Sequence, residues 1–441
     1  MGKIKQSLIL GVISLADFKF HTNMKKWYGT IRQMEKWDPS RIRQWQEQKL
    51  RNLVNTAYSH SRYYRELFDS HNINPADIKT IEDLERIPVL TKDIIRERFD
   101  DILLDNKSSF HYNESATGGS SGIPLHYVRD NNSWGFGNAY QTIMWQKTGY
   151  CYGDKFLALG ASSILPENKK SRLHNLFYGL KNKIPFSTVV VSDERFAECV
   201  DLIRKKNIHY IYGFSTSLYL LAKYVIKNNL QDQLDIMACF PTSEIFSDVY
   251  YDTVYEAFKS HIMNSYGAND GGIKGFRLDR EEYFKVGYNC LVQIEETVKD
   301  SRLGPAIITD LTNTVFPFIR YEIGDVVKLA RGYNSFYNGQ LLEEVIGRQS
   351  DLIQLENGCV LTCPSFAHLI KDLHVEGYRL YKLSPMEITF EIVKGKGYTY
   401  QDEAIIIDAV HRHTGEECKV RFVYTDHLKT RENGKMFYLQ L

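Results

Sequence analysis

From Phe156 onward, apolar runs too short for helices alternate with amphipathic stretches, and this alternation constrains the fold more than any other feature of the chain. Phe156-Leu-Ala-Leu-Gly-Ala, Thr188-Val-Val-Val, His209-Tyr-Ile-Tyr and Ile236-Met-Ala-Cys-Phe read as buried strands. Glu194–Lys205 and Ser217–Asn228 read as the helices between them. An unbroken apolar run suits a strand covered on both faces, so the pattern predicts α/β units with a largely parallel sheet. Between about 280 and 345 it changes to strands separated by turns. The end of the chain reads as a small α+β unit, with strands at Glu387-Ile-Thr-Phe-Glu-Ile-Val and Cys418–Tyr424 around a helix at Tyr400–His411.

A chain of 441 residues with 43% hydrophobic content has material for two or three domains. Its 55 Lys and Arg nearly balance 54 Asp and Glu, so no global charge calls for a nucleic acid partner. No apolar run approaches the roughly 20 residues of a membrane-spanning helix. Charge is nevertheless uneven. Residues 1–66 hold 13 Lys and Arg against 5 Asp and Glu, with Trp27, Tyr28, Trp37 and Trp45 interleaved. Such a segment suits peripheral contact with a membrane, or a helical cap whose aromatics pack on the next domain. Arg51–Phe68 shows helical spacing, and Thr91 in Thr91-Lys-Asp-Ile is placed to cap a helix. The 7 cysteines are scattered, and one close pair (Cys359 and Cys363) has no second pair to complete a metal site, so they read as buried thiols of a reducing compartment.

The chemistry is carried by a series of ordered motifs. Ser115-Ala-Thr-Gly-Gly-Ser-Ser-Gly-Ile-Pro124 is rich in glycine and hydroxyls, and precedes the probable strand Leu125-His-Tyr-Val. A backbone this permissive can turn several N–H groups toward phosphate oxygens. It lacks the Gly-Lys-Ser/Thr ending of a P-loop. Ala238-Cys-Phe-Pro-Thr-Ser-Glu244 ends a strand in a polar turn, and Asn264-Ser-Tyr-Gly-Ala-Asn-Asp270 follows a strand beginning at His261. Ile308-Thr-Asp-Leu-Thr-Asn313 leads into Pro317-Phe-Ile-Arg-Tyr-Glu-Ile-Gly-Asp325. Ile346-Gly-Arg-Gln-Ser-Asp-Leu-Ile353 comes next, and Lys429-Thr-Arg-Glu-Asn-Gly-Lys435 lies near the end.

Together with Ile87-Pro-Val-Leu-Thr-Lys92, this series resembles the adenylate-forming superfamily of acyl-CoA synthetases over nearly the whole chain. Within it, the phenylacetate–CoA ligase-like branch is the most similar, specifically its members for capsular polysaccharide biosynthesis. The resemblance implies a fold and a division of labour. A large amino-terminal domain with mixed parallel sheets would span 1–347, and a small mobile α+β lid would span 348–441. Thr117, Gly118, Gly119, Ser120, Ser121 and Gly122 would hold the ATP phosphates. Ser243, Glu244, Tyr266 and Gly267 would receive the adenine, Asp325 and Arg348 the ribose, and Asp270 a magnesium ion. Lys435 would bridge the substrate carboxylate and the α-phosphate, with the hinge near Gln349-Ser350. Trp134, Phe136, Tyr140 and Phe214 would line the acyl pocket, where Asn138 and His126 could add polar contacts.

The implied activity is ATP-dependent activation of a carboxylic acid as acyl-AMP. The acyl group would pass to the thiol of coenzyme A or to an amine in surface polysaccharide synthesis. Adenylation brings two anions together, so cations and aligned donors are the main catalytic need, and a carboxylate is already a nucleophile at neutral pH. Three positions depart from the family pattern: Ile123 stands where many relatives carry lysine, Asp270 where glutamate is usual, and Ser350 where the hinge is acidic. They motivate a second reading, a catalytically weak nucleotide-binding scaffold in a polysaccharide assembly. Lys3 and Lys5 before the apolar Ser7–Ala16 look like a short signal peptide, but the need for ATP favours the cytoplasm and an amphipathic first helix there.

Overall fold

The computed structural model describes residues 11, 13–14, 17–116, 125–160, 182–188, 193–295, 301–331, 340–348, 352–355, 360–362, 373–384, 386–426 and 439–440. The phosphate-loop segment 117–124, Gln349 and Ser350, Lys435 and nearly all of residues 1–16 therefore lie outside the described residues, as do Cys359 and Cys363.

The chain builds α/β architecture around an 11-stranded mixed sheet. β1 (Tyr112–Ala116) and β2 (His126–Asp130) form an antiparallel hairpin flanking the Gly/Ser-rich segment, with Ala116 opposite His126. β3 (Phe156–Gly160), β4 (Lys183–Ser187), β5 (Tyr210–Phe214), β6 (Ala238–Thr242) and β7 (His261–Gly267) are joined in parallel. From β7 the sheet continues antiparallel through β8 (Lys274–Leu278), β9 (Phe284–Val286), β13 (Leu341–Arg348), β12 (Tyr321–Leu329), β11 (Leu303–Asp310) and β10 (Cys290–Ile294). The expected change of pattern after 280 is this antiparallel half. β14 (Leu352–Gln354) pairs antiparallel with β15 (Val360–Thr362), and a separate four-stranded sheet, ordered β18 (Lys419–Tyr424), β17 (Glu387–Lys394), β16 (Val375–Ser384), β19 (Leu439–Gln440), carries the helix Tyr400–Thr414. Thr399 and Asp402 close a capping box at its start, and Leu380, Ile388, Phe390, Ile406 and Val410 form its core.

β4 is Lys183–Ser187, where Phe186 alone is buried; Thr188 continues its ladder by donating to the Gly160 carbonyl at 3.0 Å, and Val189–Val191 of the expected strand Thr188–Val191 lie outside the described residues. The single helical stretch Arg51–Phe68 divides into Pro39–His60 and Arg62–Ser70. Ser61 ends the first and caps the second through its hydroxyl, which accepts from the Tyr64 N–H. Asp38 with Pro39 starts the first in the usual N-cap manner. Thr91 caps Lys92–Glu97 as its sequence predicts.

The basic aromatic segment resolves into two faces. Helix Met24–Met34 buries Met24, Trp27, Ile31 and Met34, at helical spacing. Trp27 meets Phe136 edge-on at 5.0 Å and donates from Nε1 to Asn132 at 2.9 Å. Its aromatics thus pack inward, as a cap would. Phe18, Lys19, Phe20, Lys25, Lys26, Arg32 and Lys36 remain exposed. Cys199, Cys239, Cys290 and Cys418 are buried free thiols and Cys151 is half-buried.

Candidate active site

The site is built where the parallel strands end. β5, β6 and β7 stop at Phe214, Thr242 and Gly267, the carboxyl edge at which open α/β sheets bind ligands. The turn after β6 places Ser243 in the left-handed region, with φ 68°, and exposes it. Glu244 is tied down on both sides: its carboxylate accepts from the Thr216 N–H at 2.9 Å, and its carbonyl from the Ser215 hydroxyl at 3.0 Å. The turn is therefore fixed to the first residues of helix Ser215–Lys227.

Tyr266, near the end of β7, donates its hydroxyl to Asp325 Oδ2 at 2.9 Å. Burial, reinforced by that carboxylate, pushes the phenol pKa well above its usual value, so the hydroxyl stays a donor at any working pH. Asp325 lies directly opposite Arg348 in the antiparallel pair β12–β13. One residue earlier, Gly347 has φ 124°, and a side chain there would stand 2.7 Å from Ile245 Cδ1. Close approach of β13 to the Ser243–Ile245 turn requires that glycine. Four residues from four separate motifs (Glu244, Tyr266, Asp325 and the backbone of Arg348) are thus brought together.

Asp270 is 8% exposed and its Oδ2 accepts from the Tyr321 hydroxyl at 2.8 Å. Behind it, Gly272 (φ 67°) turns so closely over Asp310 that a Cβ would collide with the carboxylate. Asp310 is wholly buried, which raises its pKa, and accepts from Thr312 N–H at 2.9 Å, Thr312 Oγ1 at 2.7 Å and Ser133 Oγ at 3.1 Å. This network sets the Asp270 turn against the helix Asn131–Gln146. Among the described residues no group of three or more His, Cys, Asp and Glu could cage a metal. A single carboxylate fits magnesium, which keeps several waters and takes its remaining ligands from phosphates.

Three further cations lie close to these motifs, and none of them was given a role from the sequence. Arg129, on β2 just after the Gly/Ser-rich segment, donates to Asn269 Oδ1 at 3.0 Å and ties the hairpin to the Tyr266–Asp270 motif. Lys92 stands over Gly324, where a Cβ would lie 2.8 Å from its Nζ. Its segment is held by the Leu90–Tyr321 bridge, which joins Ile87–Lys92 to β12. Lys274 opposes Gly267 in the β7–β8 register and donates to Gln141 Oε1 at 2.9 Å. The neighbouring family motifs were the available signal for Arg129 and Lys92. For Lys274, on a strand that also carries Arg277, there was none.

The expected acyl wall is corrected in part. Phe136 and Tyr140 are 0% and 2% exposed. Phe136 packs on Trp27, while Tyr140 packs edge-on against Phe276 and Tyr288 and donates to the Lys285 carbonyl at 2.9 Å. Phe214 belongs to the same closed core. Of the four aromatics only Trp134 is half-exposed, together with Asn138 and Gln141. Two residues along a helix turn about 200°, so Trp134 and Phe136 could not share a wall.

The fold is that of the adenylate-forming ligases. The chain aligns with 2-hydroxyisobutyryl-CoA ligase, solved in a postadenylation state with R3-HIB-AMP, at TM-score 0.70 and 15% identity, covering 93% of this chain and 91% of that one. O-succinylbenzoate coenzyme A synthetase of Bacillus subtilis, solved with AMP, aligns at TM-score 0.50 and 16% identity over 74% of this chain and 67% of that one. The amide bond synthetase McbA of Marinactinospora thermotolerans does so at TM-score 0.50 and 12% identity, over 73% and 67%. By sequence the chain is similar to Protein CapK of Staphylococcus aureus, 23% identical over 320 residues, 72% of this chain and 70% of that protein. No family model matches it.

Proposed function

We propose that this chain is an ATP-dependent, AMP-forming carboxylate ligase that makes an acyl adenylate and passes the acyl group to an acceptor. The observation that carries the reading is the Tyr266–Asp325 hydrogen bond beside the Ser243–Glu244 turn. Two motifs 59 residues apart meet at the carboxyl edge of the sheet, as a site for one nucleotide requires. Tyr266, Gly267 and the Ser243–Glu244 turn would receive the adenine. Asp325 would accept from the ribose hydroxyls, for which a carboxylate has the capacity beyond its bond to Tyr266, and Arg348 would stand across from it. The loop Thr117–Gly122 would donate to the phosphates. Asp270 would hold magnesium, which when bound supplies charge neutralisation on the phosphates.

Lys435 would lie between the acid and the α-phosphate. A lysine suits that role because its ammonium is a compact charge that can serve two anions at once. The small carboxy-terminal unit 348–441 would be the lid that delivers it, turning near Gln349-Ser350 between the two half-reactions. The acceptor would be either the thiol of coenzyme A or an amine of a surface polysaccharide precursor. Both chemistries occur among the structural relatives, which include CoA ligases and an amide bond synthetase. In this reading the reaction takes place in the cytoplasm. The exposed face of Phe18, Lys19, Phe20, Lys25 and Lys26 supports peripheral contact with an anionic bilayer.

A nucleotide-binding scaffold is the second reading, favoured by the Tyr321 bond that already engages Asp270. Acid-dependent pyrophosphate release from ATP separates the two. Release that requires an added carboxylic acid supports the ligase, whereas ATP binding without release under any acid supports the scaffold.

A further inference from the structure

The helix Asn131–Gln146 is apolar where it meets the core, yet one stripe of it is polar. Trp134, Asn138 and Gln141 fall at i, i+4 and i+7 and are all half-exposed, beside the buried Gly137. Opposite the helix, β8 turns Lys274 and Phe276 to one face, as residues two apart on a strand do. Phe276 packs edge-on against Tyr140 at 5.6 Å. Lys274, in the equivalent place one step along, lies across Gly137: a Cβ there would stand 3.3 Å from its Cε and 3.6 Å from its Nζ. Its ammonium reaches Gln141 Oε1 at 2.9 Å. A half-buried cation therefore occupies a sheet–helix interface whose neighbouring contact is aromatic. Holding a cation away from water is costly unless an oxygen ligand or counter-charge answers it.

The position matters as much as the charge. Lys274 is the register partner of Gly267, and Tyr266, the adjacent residue of β7, holds Asp325. Gly267 and Lys274 are cross-strand partners about 5 Å apart at Cα, and Tyr266, one residue earlier, takes the opposite face, so the nucleotide-facing groups and the Lys274–Gln141 pair lie on either side of the end of β7. An acyl adenylate that places its nucleotide on Tyr266 and Asp325 would extend its acyl group toward Gly137, Gln141 and Lys274.

We propose that Lys274, with Gln141 and Asn138, selects a carboxylic acid bearing a second oxygen function, a hydroxyl or a second carboxylate, over its apolar counterpart. This rests on the ligase reading given above. In this account Gly137 is free of a side chain so that the lysine can lie over the helix, and Gln141 orients the ammonium while itself offering an amide to the substrate. Asn138, whose amide donates to the Trp134 carbonyl at 2.8 Å, completes the polar stripe.

The test uses the full chain with matched acids: 3-methylbutanoate, 3-hydroxybutanoate and succinate. Two readouts are taken, ATP-dependent pyrophosphate release and calorimetric binding of each acid without ATP, on wild type, Lys274→Met and Gln141→Leu. Thermal melting establishes that each variant is folded. Wild type is expected to prefer an oxygen-bearing acid by about tenfold or more in kcat/KM, and Lys274→Met to collapse that ratio, since a site built to bond a polar group discriminates strongly against its absence. A wild-type preference for 3-methylbutanoate, or a ratio unchanged in both folded variants, overturns the proposal while leaving the ligase reading in place. Polar-acid binding that is lost in Lys274→Met, with no pyrophosphate release from any acid, sinks the ligase reading but upholds the selectivity. Absence of both binding and release for all three acids overturns both.

Discussion

Tyr266 and Asp325 show what one hydrogen bond does for a site. The phenol is fixed as a donor by its surroundings, and the carboxylate it meets is thereby held at the edge of the sheet. Tyr266→Phe removes that donor and keeps the ring. A hydrogen bond to a charged acceptor is worth about 1.5–3 kcal/mol, so ATP affinity should fall roughly tenfold or more, measured by calorimetry. An unchanged Kd would mean that Asp325 is oriented by something else. Asp130, buried at the end of β2, makes a different prediction. Desolvation raises its pKa from 3.8 to about 6, while the Asn132 N–H bonded to its side chain pulls the other way. Its folded pKa exceeds its unfolded one, so between about pH 4 and pH 6 the folded protein holds a proton that the unfolded chain has lost, and stability falls as pH rises through that window. Asparagine caps equally well. Asp130→Asn should therefore raise stability at pH 7.5 by about 1–2 kcal/mol, with the gain gone near pH 4. A gain of the same size at both pH values, read from urea midpoints, would rule the titration out. Gly272 is constrained by both its backbone and Asp310, so Gly272→Ala should cost about 2 kcal/mol or more. A loss under about 0.5 kcal/mol would show the Asp270 turn to be free to move.

At the scale of elements, some features were legible in the residues and others were not. Buried parallel strands announce themselves because both faces are apolar: β3, β5 and β6 were found within about two residues of their places. β4, at the edge of the sheet, runs Lys183–Ser187 and carries little apolar signature, while Val189–Val191 of the more apolar expected run lie outside the described residues. Edge strands need only one covered face, so hydrophobicity is a poor guide to them. The helix Asn131–Gln146 divides the aromatics expected to line one wall. Three aromatics in seven residues suggest a single wall, whereas helical geometry sends Phe136 and Tyr140 into the core and leaves Trp134 with Asn138 and Gln141. The amino-terminal helix is the clearest case of a face with two owners. Its apolar stripe is consumed by the helix Asn131–Gln146, and what remains outward is basic, flanked by Phe18 at 83% exposure. That face should bring the protein down with vesicles containing phosphatidylserine and not with pure phosphatidylcholine. Lys25→Glu with Lys26→Glu should weaken the association by about 1 kcal/mol per charge or more. Equal sedimentation with both lipids, or none with either, would assign the face to solvent.

On the scale of the whole molecule, the fold was legible because it depends on many residues at once. The alternation of strand and helix, then of strand and turn, gives the parallel half, the antiparallel half and the carboxy-terminal sheet in their order along the chain. The site was legible only through motif resemblance, since a Gly-Asp or a Tyr-Gly taken alone is an ordinary turn or core residue. Arg129, Lys92 and Lys274 escaped because each gains its meaning from a partner far along the chain: Asn269, Gly324 and Gln141 respectively. What unites these residues is a claim about chemistry, that the edge of this sheet activates a carboxylate with ATP. Isotope exchange between pyrophosphate and ATP tests that claim most directly, because label enters ATP only when an enzyme-bound adenylate forms reversibly. The account predicts exchange that requires magnesium and an added carboxylic acid, and that falls by about a hundredfold in Lys435→Ala, the order expected for losing one stabilising cation from the transition state. Tight ATP binding with no exchange under any acid, or exchange indifferent to Lys435→Ala, would contradict it.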